Sequence, residues 1–173
     1  EEWGKIKPTT TLGQLPILYV DGKEVPQSRA INRLVARDLG LYGSNTWEQA
    51  LIDVVCETVD EVWPAVAGIF MEKDEAKKDE LRKKFATEDL VKLAEKLGKL
   101  LKQNKNGEGW FVGDKISLAD VAVYTAVAEF FPALAKCGEV DLTGQDALKG
   151  LLSRVKSNEK VAEWIKNRPQ TDM

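Results

Sequence analysis

The sequence predicts a small α/β segment followed by a larger all-α region. Ile17–Val20 is apolar and β-prone, and Asp21-Gly22 supplies the positive φ angles that a two-residue hairpin turn requires. Residues 24–25 then return as a second, antiparallel strand. Beyond Thr46 the chain lacks strand alternation, and its apolar residues recur every three to four positions, as on one face of a helix.

The predicted hairpin leads directly into a helix. Pro26 has no N–H to donate to a strand ladder, so it ends the second strand, and Ser28 is a good N-cap for the helix that follows. The positions of this helix that we expect to be buried are Ile31, Leu34, Val35 and Leu39. A helix N-terminus and a hydroxyl therefore meet at one place, and unpaired N–H groups with the helix dipole favour an anion there.

Composition excludes several classes of function. The chain has 173 residues and 43% hydrophobic content, which suits one domain or a small domain joined to a larger one. Its 25 basic and 28 acidic residues give a net charge of −3 and are interleaved, so we expect no nucleic-acid partner. The absence of histidine excludes Ser-His-Asp triads, Cys-His nucleophiles and the common histidine metal sites, and we predict no metal.

The cysteines and the hydropathy pattern indicate the compartment. Cys56 and Cys137 are far apart in helical patterns, which is typical of buried thiols in a reducing compartment. No apolar run is long enough to span a membrane and no secretory signal precedes the fold. We therefore expect a cytoplasmic protein without a membrane partner.

Several motifs occur in the order in which one enzyme family has them. They are Trp3 with Lys7, Leu15-Pro16 before a strand, VDG at the turn, Gln27-Ser28 opening a helix, and VAEWIKNRPQTDM at the C-terminal end. The middle motifs resemble the glutathione-binding half of a glutathione S-transferase. The first and last resemble the sigma class, which includes glutathione-dependent prostaglandin D synthases, and the resemblance covers the whole chain.

The resemblance implies a partial thioredoxin-like domain over residues 1–39 and an all-α domain over 47–173. Residues 40–46 are the predicted linker, because two glycines and a polar run end the first helix, and Thr46 can cap the next. The family pattern begins with a strand-helix-strand unit of roughly 30 or more residues that precedes the matched part. We therefore interpret the chain as a fragment or processed form of a transferase.

No catalytic residue is predicted in this chain. In the family the tyrosine that activates the glutathione thiol lies near the end of the first strand, before the matched part. Tyr19 falls in the family's third strand, and Tyr42 and Tyr124 belong to the helical part. The resemblance thus implies transferase activity for a full-length parent and little for this chain alone.

The resemblance also implies a glutathione site. Its residues are Trp3, Lys7, Gly13, Gln14, Leu15, Pro16, Gln27, Ser28, Asp60 and Glu61. Lys7 would pair with the glycine carboxylate, with the indole of Trp3 supporting the chain. Pro16 would be a cis-proline that exposes the Leu15 backbone to the cysteinyl residue.

Several of these residues also have an ordinary structural interpretation, and Trp3 and Lys7 are then packing and solubility residues. Taken without the resemblance, Pro16 is a trans-proline at a strand start and Ser28 a plain N-cap beside an exposed Gln27. With the resemblance, Gln27 and Ser28 hold the γ-glutamyl carboxylate at the helix N-terminus.

The rest of the chain predicts a helical bundle. The expected helices are 47–73, kinked at Pro64; 76–104; a central buried helix from a Ser117–Asp120 capping box to Phe131; 145–157; and a last helix capped by Asn158 and ended by Pro169. Because Asp120 stands three residues after the N-cap serine, we expect a folding role for it and not a catalytic one.

The first predicted bundle helix carries an acidic cluster. Glu57, Asp60 and Glu61 share one side of it, which usually indicates a solvated surface. In sigma transferases such a cluster lies at the subunit interface, where one carboxylate meets the amine of glutathione bound in the partner, so the resemblance implies a homodimer. Trp63 falls where that class lines its hydrophobic substrate pocket, although it also suits a core.

The implied function is attack of the glutathione thiolate on a small hydrophobic electrophile, with glutathione as co-substrate. Prostaglandin D isomerisation or peroxide reduction are possible side activities of the class. The alternative is a non-catalytic member of the fold, such as a lens crystallin or an assembly domain, or an inactive truncated form.

Overall fold

The computed structural model describes residues 2–169, and the chain divides into two compact units. Unit 1 is Glu1–Tyr42 and unit 2 is Gly43–Met173. The described residues are mostly helical with one two-stranded sheet, and this sheet lies in unit 1. The predicted order of an α/β segment followed by an all-α region is confirmed. The last four residues of the C-terminal motif, 170–173, lie outside the described residues.

Unit 1 is a hairpin flanked by two helices. Its elements are α1 (Glu2–Ile6), a 3-10 turn (Lys7–Thr9), β1 (Ile17–Val20), β2 (Lys23–Pro26) and α2 (Ser28–Asp38). The strands are antiparallel, with Ile17 opposite Pro26 and Val20 opposite Lys23. Asp21 and Gly22 have φ angles of 49° and 75°, so the predicted two-residue turn is confirmed.

Two predicted details of unit 1 are wrong. The first is the start of the chain: the sequence pattern around Trp3 is typical of a loop, but residues Glu2–Ile6 form α1. The N-cap of α2 is Gln27 and not Ser28, which is the first helical residue. Gln27 has a φ of 75°, so the chain turns one residue earlier than the serine signal suggested, and the Gln27 carbonyl accepts the first helical bond from the Ile31 N–H at 3.0 Å.

The apolar stripe of α2 is largely exposed. Only Ala36 is buried in this helix, whereas Val35 is 41% and Leu39 67% exposed. The expectation that both would be buried is therefore wrong. In the described part of unit 1, α2 packs on a two-stranded hairpin, and two strands are too narrow a surface to cover the whole stripe of a helix.

Unit 2 is a helical bundle. Its helices are α3 (Thr46–Asp60), α4 (Trp63–Met71), α5 (Glu75–Lys84), α6 (Leu90–Lys102), α7 (Leu118–Tyr124), α8 (Phe131–Ala135), α9 (Asp146–Lys156) and α10 (Glu159–Asn167). One π-helical turn, Phe85–Asp89, joins α5 to α6, and another, Thr125–Phe130, joins α7 to α8. Two of the predicted long helices are therefore continuous but each contains one wider turn.

The predicted helix 47–73 is two helices. It breaks between α3 and α4 just before Pro64, the second residue of α4. A proline fits the first turn of a helix because its missing N–H has no partner there, so the chain restarts a helix instead of kinking one. Asn45, not Thr46, caps α3, because its Oδ1 accepts a hydrogen bond from the Glu48 N–H at 3.0 Å.

The predicted capping box at the start of α7 is confirmed. Asp120 is fully buried and accepts hydrogen bonds from the Ser117 N–H at 2.7 Å, the Ser117 hydroxyl at 2.8 Å and the Phe111 N–H at 2.8 Å. Burial raises the pKa of Asp120, and these hydrogen bonds oppose that rise. The carboxylate thus ties the loop before α7 to its first turn, which is a folding role.

The core of unit 2 lies around α7, which packs against α3 and α9. Phe85, the first residue of one π-helical turn, meets Phe131, which follows the other, edge to face at 5.5 Å between ring centroids. The fully buried side chains are Phe85, Phe131, Ile52, Ile69, Leu90, Leu97, Leu101, Leu148, Leu151, Val66, Val123 and Val155. All belong to unit 2, so the apolar core of the described chain is helical.

Two expectations about the thiols and the membrane need correction. Lys136 takes a left-handed conformation and ends α8, so Cys137 lies outside the helix and is exposed, while Cys56 is half-buried. Leu118–Ala135 is long and apolar enough to cross a membrane by length and composition, contrary to the expectation from sequence. More than half of that segment, 56%, is buried inside the fold, as in the core helix of a bundle.

Candidate functional site

The loop between α1 and β1 is organised around Thr10. Its hydroxyl donates to the Lys7 carbonyl at 3.0 Å and accepts from the Gly13 N–H at 3.1 Å. Thr10 is 9% exposed, unusual burial for a loop hydroxyl. Glu24 on β2 then accepts from the Thr11 N–H at 3.0 Å, so the loop is tied both to itself and to the hairpin.

Sequence reasoning missed Thr10 and Glu24. The available signal for Thr10 was its position three residues after Lys7 in a Pro-containing polar run, where a hydroxyl can bond the backbone. The signal for Glu24 was its place opposite Tyr19 in the hairpin register.

Lys7 and Gly13 lie next to each other in this loop. Gly13 has a φ of 59°, and the Lys7 Cε and Cγ atoms are 3.6 and 3.7 Å from the place where a Cβ would stand on that glycine. The Lys7 side chain therefore crosses the Gly13 backbone, and the residue is exposed. Trp3 lies half-buried on α1.

The hairpin register places two predicted motifs, Leu15-Pro16 and Gln27-Ser28, at the same end of the hairpin. The Leu15-Pro16 peptide is cis, which confirms that prediction, and Leu15 is 66% exposed. Because Ile17 stands opposite Pro26, the residues just outside this pair, Pro16 and Gln27, flank the open end of the hairpin. Gln14, Gln27 and Ser28 are also exposed.

The N-terminus of α2 has no side-chain cap. Gln27, in the N-cap position, makes no capping hydrogen bond, and its φ of 75° is rare for a residue with a Cβ. The first turn of a helix carries N–H groups without intrahelical partners. This end of α2 can therefore receive a carboxylate beside the Ser28 hydroxyl.

The tyrosine hydroxyls are used elsewhere. Tyr19 donates to Glu24 at 3.3 Å and Tyr124 donates to Glu129 at 3.1 Å. Desolvation and these carboxylates raise the pKa of both Tyr19 and Tyr124. Tyr42 is 2% exposed, with the Arg37 guanidinium 4.3 Å from its ring centroid. The Tyr19 and Tyr124 hydroxyls are thus engaged by neighbouring carboxylates, and Tyr42 is buried.

The predicted acidic cluster lies at the corner between α3 and α4. Asp60 accepts from the Trp63 indole N–H at 2.9 Å, and Glu61 forms an ion pair with Lys96 on α6. Glu57 is exposed one turn earlier. Among residues 2–169, no group of three or more His, Cys, Asp or Glu side chains is placed to hold a metal ion.

Trp63 belongs to an aromatic pair that the sequence did not indicate. Its ring lies 5.7 Å from that of Phe130, and Trp63 is 39% exposed. Phe130 is the last residue of the second π-helical turn, and its ring contacts the first residue of α4. The pair presents a partly exposed apolar surface.

A family model, the sequences of known proteins and a solved structure all show similarity to this chain. The family model described as "Glutathione S-transferase, C-terminal domain" matches residues 60–168. The chain is 36% identical to S-crystallin SL11 of Nototodarus sloanii, over 98% of this chain and 81% of that protein. It is 34% identical to hematopoietic prostaglandin D synthase of Gallus gallus, over 98% of this chain and 80% of that one. The solved structure of prostaglandin synthase D of Nilaparvata lugens superposes with a TM-score of 0.80 at 32% identity, over 98% of this chain and 82% of that one.

Proposed function

The chain belongs to the glutathione S-transferase family, in the sigma class, and from this premise we propose that unit 1 binds glutathione. The bound thiolate would be directed at a small hydrophobic electrophile, with glutathione as co-substrate. Relatives named as transferases and as a prostaglandin D synthase support this chemistry.

One observation carries the proposal: the exposed Leu15-Pro16 segment and the uncapped N-terminus of α2 flank the same end of the hairpin. The exposed Leu15 backbone can pair with a peptide in the manner of an added strand. The first turn of α2 with Ser28 suits one carboxylate, and the Lys7 ammonium suits a second. Glutathione is a short peptide with two carboxylates, so it fits this set of groups.

We expect the chain by itself to turn over slowly. A free thiol has a pKa near 8.5, so a transferase must stabilise the thiolate by a hydrogen bond or a positive charge. Tyr19 and Tyr124 donate to carboxylates, and Tyr42 is buried. We therefore expect the residues of unit 1 to bind and orient glutathione more readily than they activate its thiol.

The helical unit would serve the electrophile and the partner subunit. The partly exposed Trp63–Phe130 pair offers an apolar surface for the electrophile. In a homodimer, Asp60 or Glu61 would meet the amine of glutathione held by the other subunit. Prostaglandin isomerisation, peroxide reduction, a role in detoxification and a cytoplasmic location remain predictions of the same proposal.

A second candidate is a non-catalytic protein of the same fold. The similarity to an S-crystallin, at 36% identity over 98% of the chain, favours it. The engaged tyrosine hydroxyls are also compatible with a protein that performs no chemistry. On this alternative the residues of unit 1 bind no glutathione.

Retention on immobilised glutathione separates the two candidates. The full chain should be retained and eluted by free glutathione, and Lys7→Met and Ser28→Ala should each weaken binding, by about tenfold for the lysine if one charged hydrogen bond is lost. Lys23→Met is the matched control, because Lys23 is exposed at the turn end of the same hairpin. Flow-through of a chain with native circular dichroism would reject glutathione binding and leave the non-catalytic candidate.

A further inference from the structure

The carboxylate of Glu24, on β2, joins two other parts of unit 1. Its Oε1 accepts a hydrogen bond from the Thr11 N–H at 3.0 Å, in the loop between α1 and β1. Its Oε2 accepts a hydrogen bond from the Tyr19 hydroxyl at 3.3 Å, on β1, and Tyr19 stands directly opposite Glu24 in the hairpin register. One side chain therefore connects the loop to both strands of the hairpin.

The bond at Thr11 bears on the groups that the proposed glutathione site uses. The hydroxyl of the preceding residue, Thr10, bonds the Lys7 carbonyl at 3.0 Å and the Gly13 N–H at 3.1 Å. The Lys7 Cε atom lies 3.6 Å from the place where a Cβ would stand on Gly13. A shift of Thr11 away from Glu24 is therefore transmitted through neighbouring contacts to the Lys7 side chain.

The loop has few apolar contacts that would hold it in place. Within residues 10–16 the only buried residue is Thr10, and Leu12 and Leu15 are 47% and 66% exposed. Segments with few buried apolar contacts open locally at low free energy. Hydrogen bonds to an ionised acceptor are about twice as strong as neutral ones. The Glu24 carboxylate is therefore a strong anchor for a loop that packing alone holds weakly.

The ammonium that this anchor positions favours one end of glutathione. Both ends of the peptide carry a carboxylate, but the γ-glutamyl end also carries an ammonium group, whereas the glycyl carboxylate stands alone. The Lys7 ammonium repels another ammonium and attracts a lone carboxylate. Lys7 therefore suits the glycyl end, and the N-terminus of α2 is left for the γ-glutamyl carboxylate.

We propose that Glu24 is a positioning residue for glutathione: it anchors the loop so that Lys7 is held in place for the glycyl carboxylate. Glu24 acts through Thr11 and Thr10 and needs no contact of its own with the ligand. The inference rests on the proposed binding of glutathione by unit 1. Its consequence is that Glu24 determines how strongly the chain distinguishes a charged glycyl end from a neutral one.

Titration calorimetry of the full chain with glutathione and with its glycyl monoethyl ester tests this selectivity. Glutathione should bind about tenfold more tightly than the ester, because the ester lacks the charged partner of Lys7. Glu24→Ala should weaken glutathione by about tenfold and change the ester by less than about twofold, so that the ratio of the two affinities falls toward one.

Two variants separate the acceptor from its charge and from a general effect on unit 1. Glu24→Gln keeps an oxygen that accepts the Thr11 N–H and should recover most of the selectivity. Asp38→Ala is the matched control, because Asp38 is an exposed acid of the same unit at the end of α2, and it should change neither affinity. Lys7→Met should abolish the selectivity, and adding Glu24→Ala to it should cause no further loss.

A measurement without ligand tests the anchor itself. In Glu24→Ala, amide hydrogen exchange at Thr11 should become at least about tenfold faster, while exchange in the β1–β2 ladder and the circular dichroism spectrum stay unchanged. Unchanged selectivity in Glu24→Ala, equal weakening of both ligands, or unchanged exchange at Thr11 would each overturn the role of Glu24. A native chain that binds neither ligand would instead overturn the proposed function on which this role rests.

Discussion

Unit 1 and unit 2 are each stabilised internally by a different kind of interaction. In the described part of unit 1 the buried residues are Thr10, Ala36 and Tyr42, and the loop and hairpin depend on hydrogen bonds from Thr10 and Glu24. Unit 2 contains every fully buried large side chain. The candidate glutathione residues therefore lie on the less packed unit, where exposed backbone and side chains are available to a ligand.

The largest expected difference between the units is their resistance to protease. If unit 1 opens locally at lower free energy, limited proteolysis at native pH should cut it at least about tenfold faster than unit 2. Mass spectrometry should then find a persistent product that begins near Gly43, the first residue of unit 2. Cleavage at comparable rates in both units would contradict the comparison.

A leucine-to-alanine substitution should lower the free energy of unfolding by very different amounts in the two units. Leu97 on α6 is fully buried, so Leu97→Ala should lower the free energy of unfolding by roughly 2 to 5 kcal/mol, the usual range for a cavity in a core. Leu39→Ala should cost little, because Leu39 is 67% exposed. Urea unfolding followed by circular dichroism measures both, and equal losses would show that Leu39 is covered in solution.

Removal of the buried carboxylate of α7 should have a slightly smaller effect. Asp120→Ala leaves the Phe111 and Ser117 N–H groups without their acceptor, which should cost roughly 2 to 3 kcal/mol. Asp38→Ala is the matched control, because Asp38 is exposed at the end of α2. Urea unfolding measures the stability of both variants, and equal unfolding midpoints would contradict the folding role of Asp120.

The smallest expected effect is a pH dependence at the start of unit 2. Hydrogen bonds from the Ser44 hydroxyl and N–H, both 2.6 Å long, lower the pKa of Glu48. A lowered pKa stabilises the fold above the unfolded value of about 4.3, and this stabilisation is lost as the pH falls through the folded value. In a carboxyl carbon NMR titration, Ser44→Ala should raise the pKa of Glu48 toward its ordinary value.

The control for that titration is Asp141, whose pKa is lowered by hydrogen bonds from Thr143 and not from Ser44. Its pKa should be the same in both proteins. An unchanged pKa of Glu48 in the variant would show that the contact from the Ser44 hydroxyl does not form in solution.

Local chemistry was enough to predict several elements. The Asp21-Gly22 turn and the Ser117–Asp120 capping box depend on residues within four positions of each other, and both were confirmed. The cap of the last helix by Asn158 is likewise local, with its Oδ1 accepting from the Lys160 and Val161 N–H groups. Periodicity also identified the helical region.

The errors arose where a residue's role depends on distant neighbours or on competing caps. Serine and threonine are common N-cap residues, which is why Ser28 and Thr46 were predicted as caps. The N-caps in the structure are the preceding residues, Gln27 and Asn45. The stripe of α2 has the spacing of a buried face, yet burial depends on how much surface the rest of the unit offers. The pairing of Phe130 with Trp63 was not predicted, because the two residues are far apart in sequence.

The amino-acid sequence alone determined the fold class, the hairpin, the capping box and the family to which the chain belongs, because turns, caps and apolar periodicity act over a few neighbouring residues. Only the tertiary structure decided that Glu24 ties the loop to the hairpin through the Thr11 N–H and that Trp63 pairs with Phe130. These contacts join residues distant in sequence, and packing that brings such residues together leaves no periodic signal in the chain.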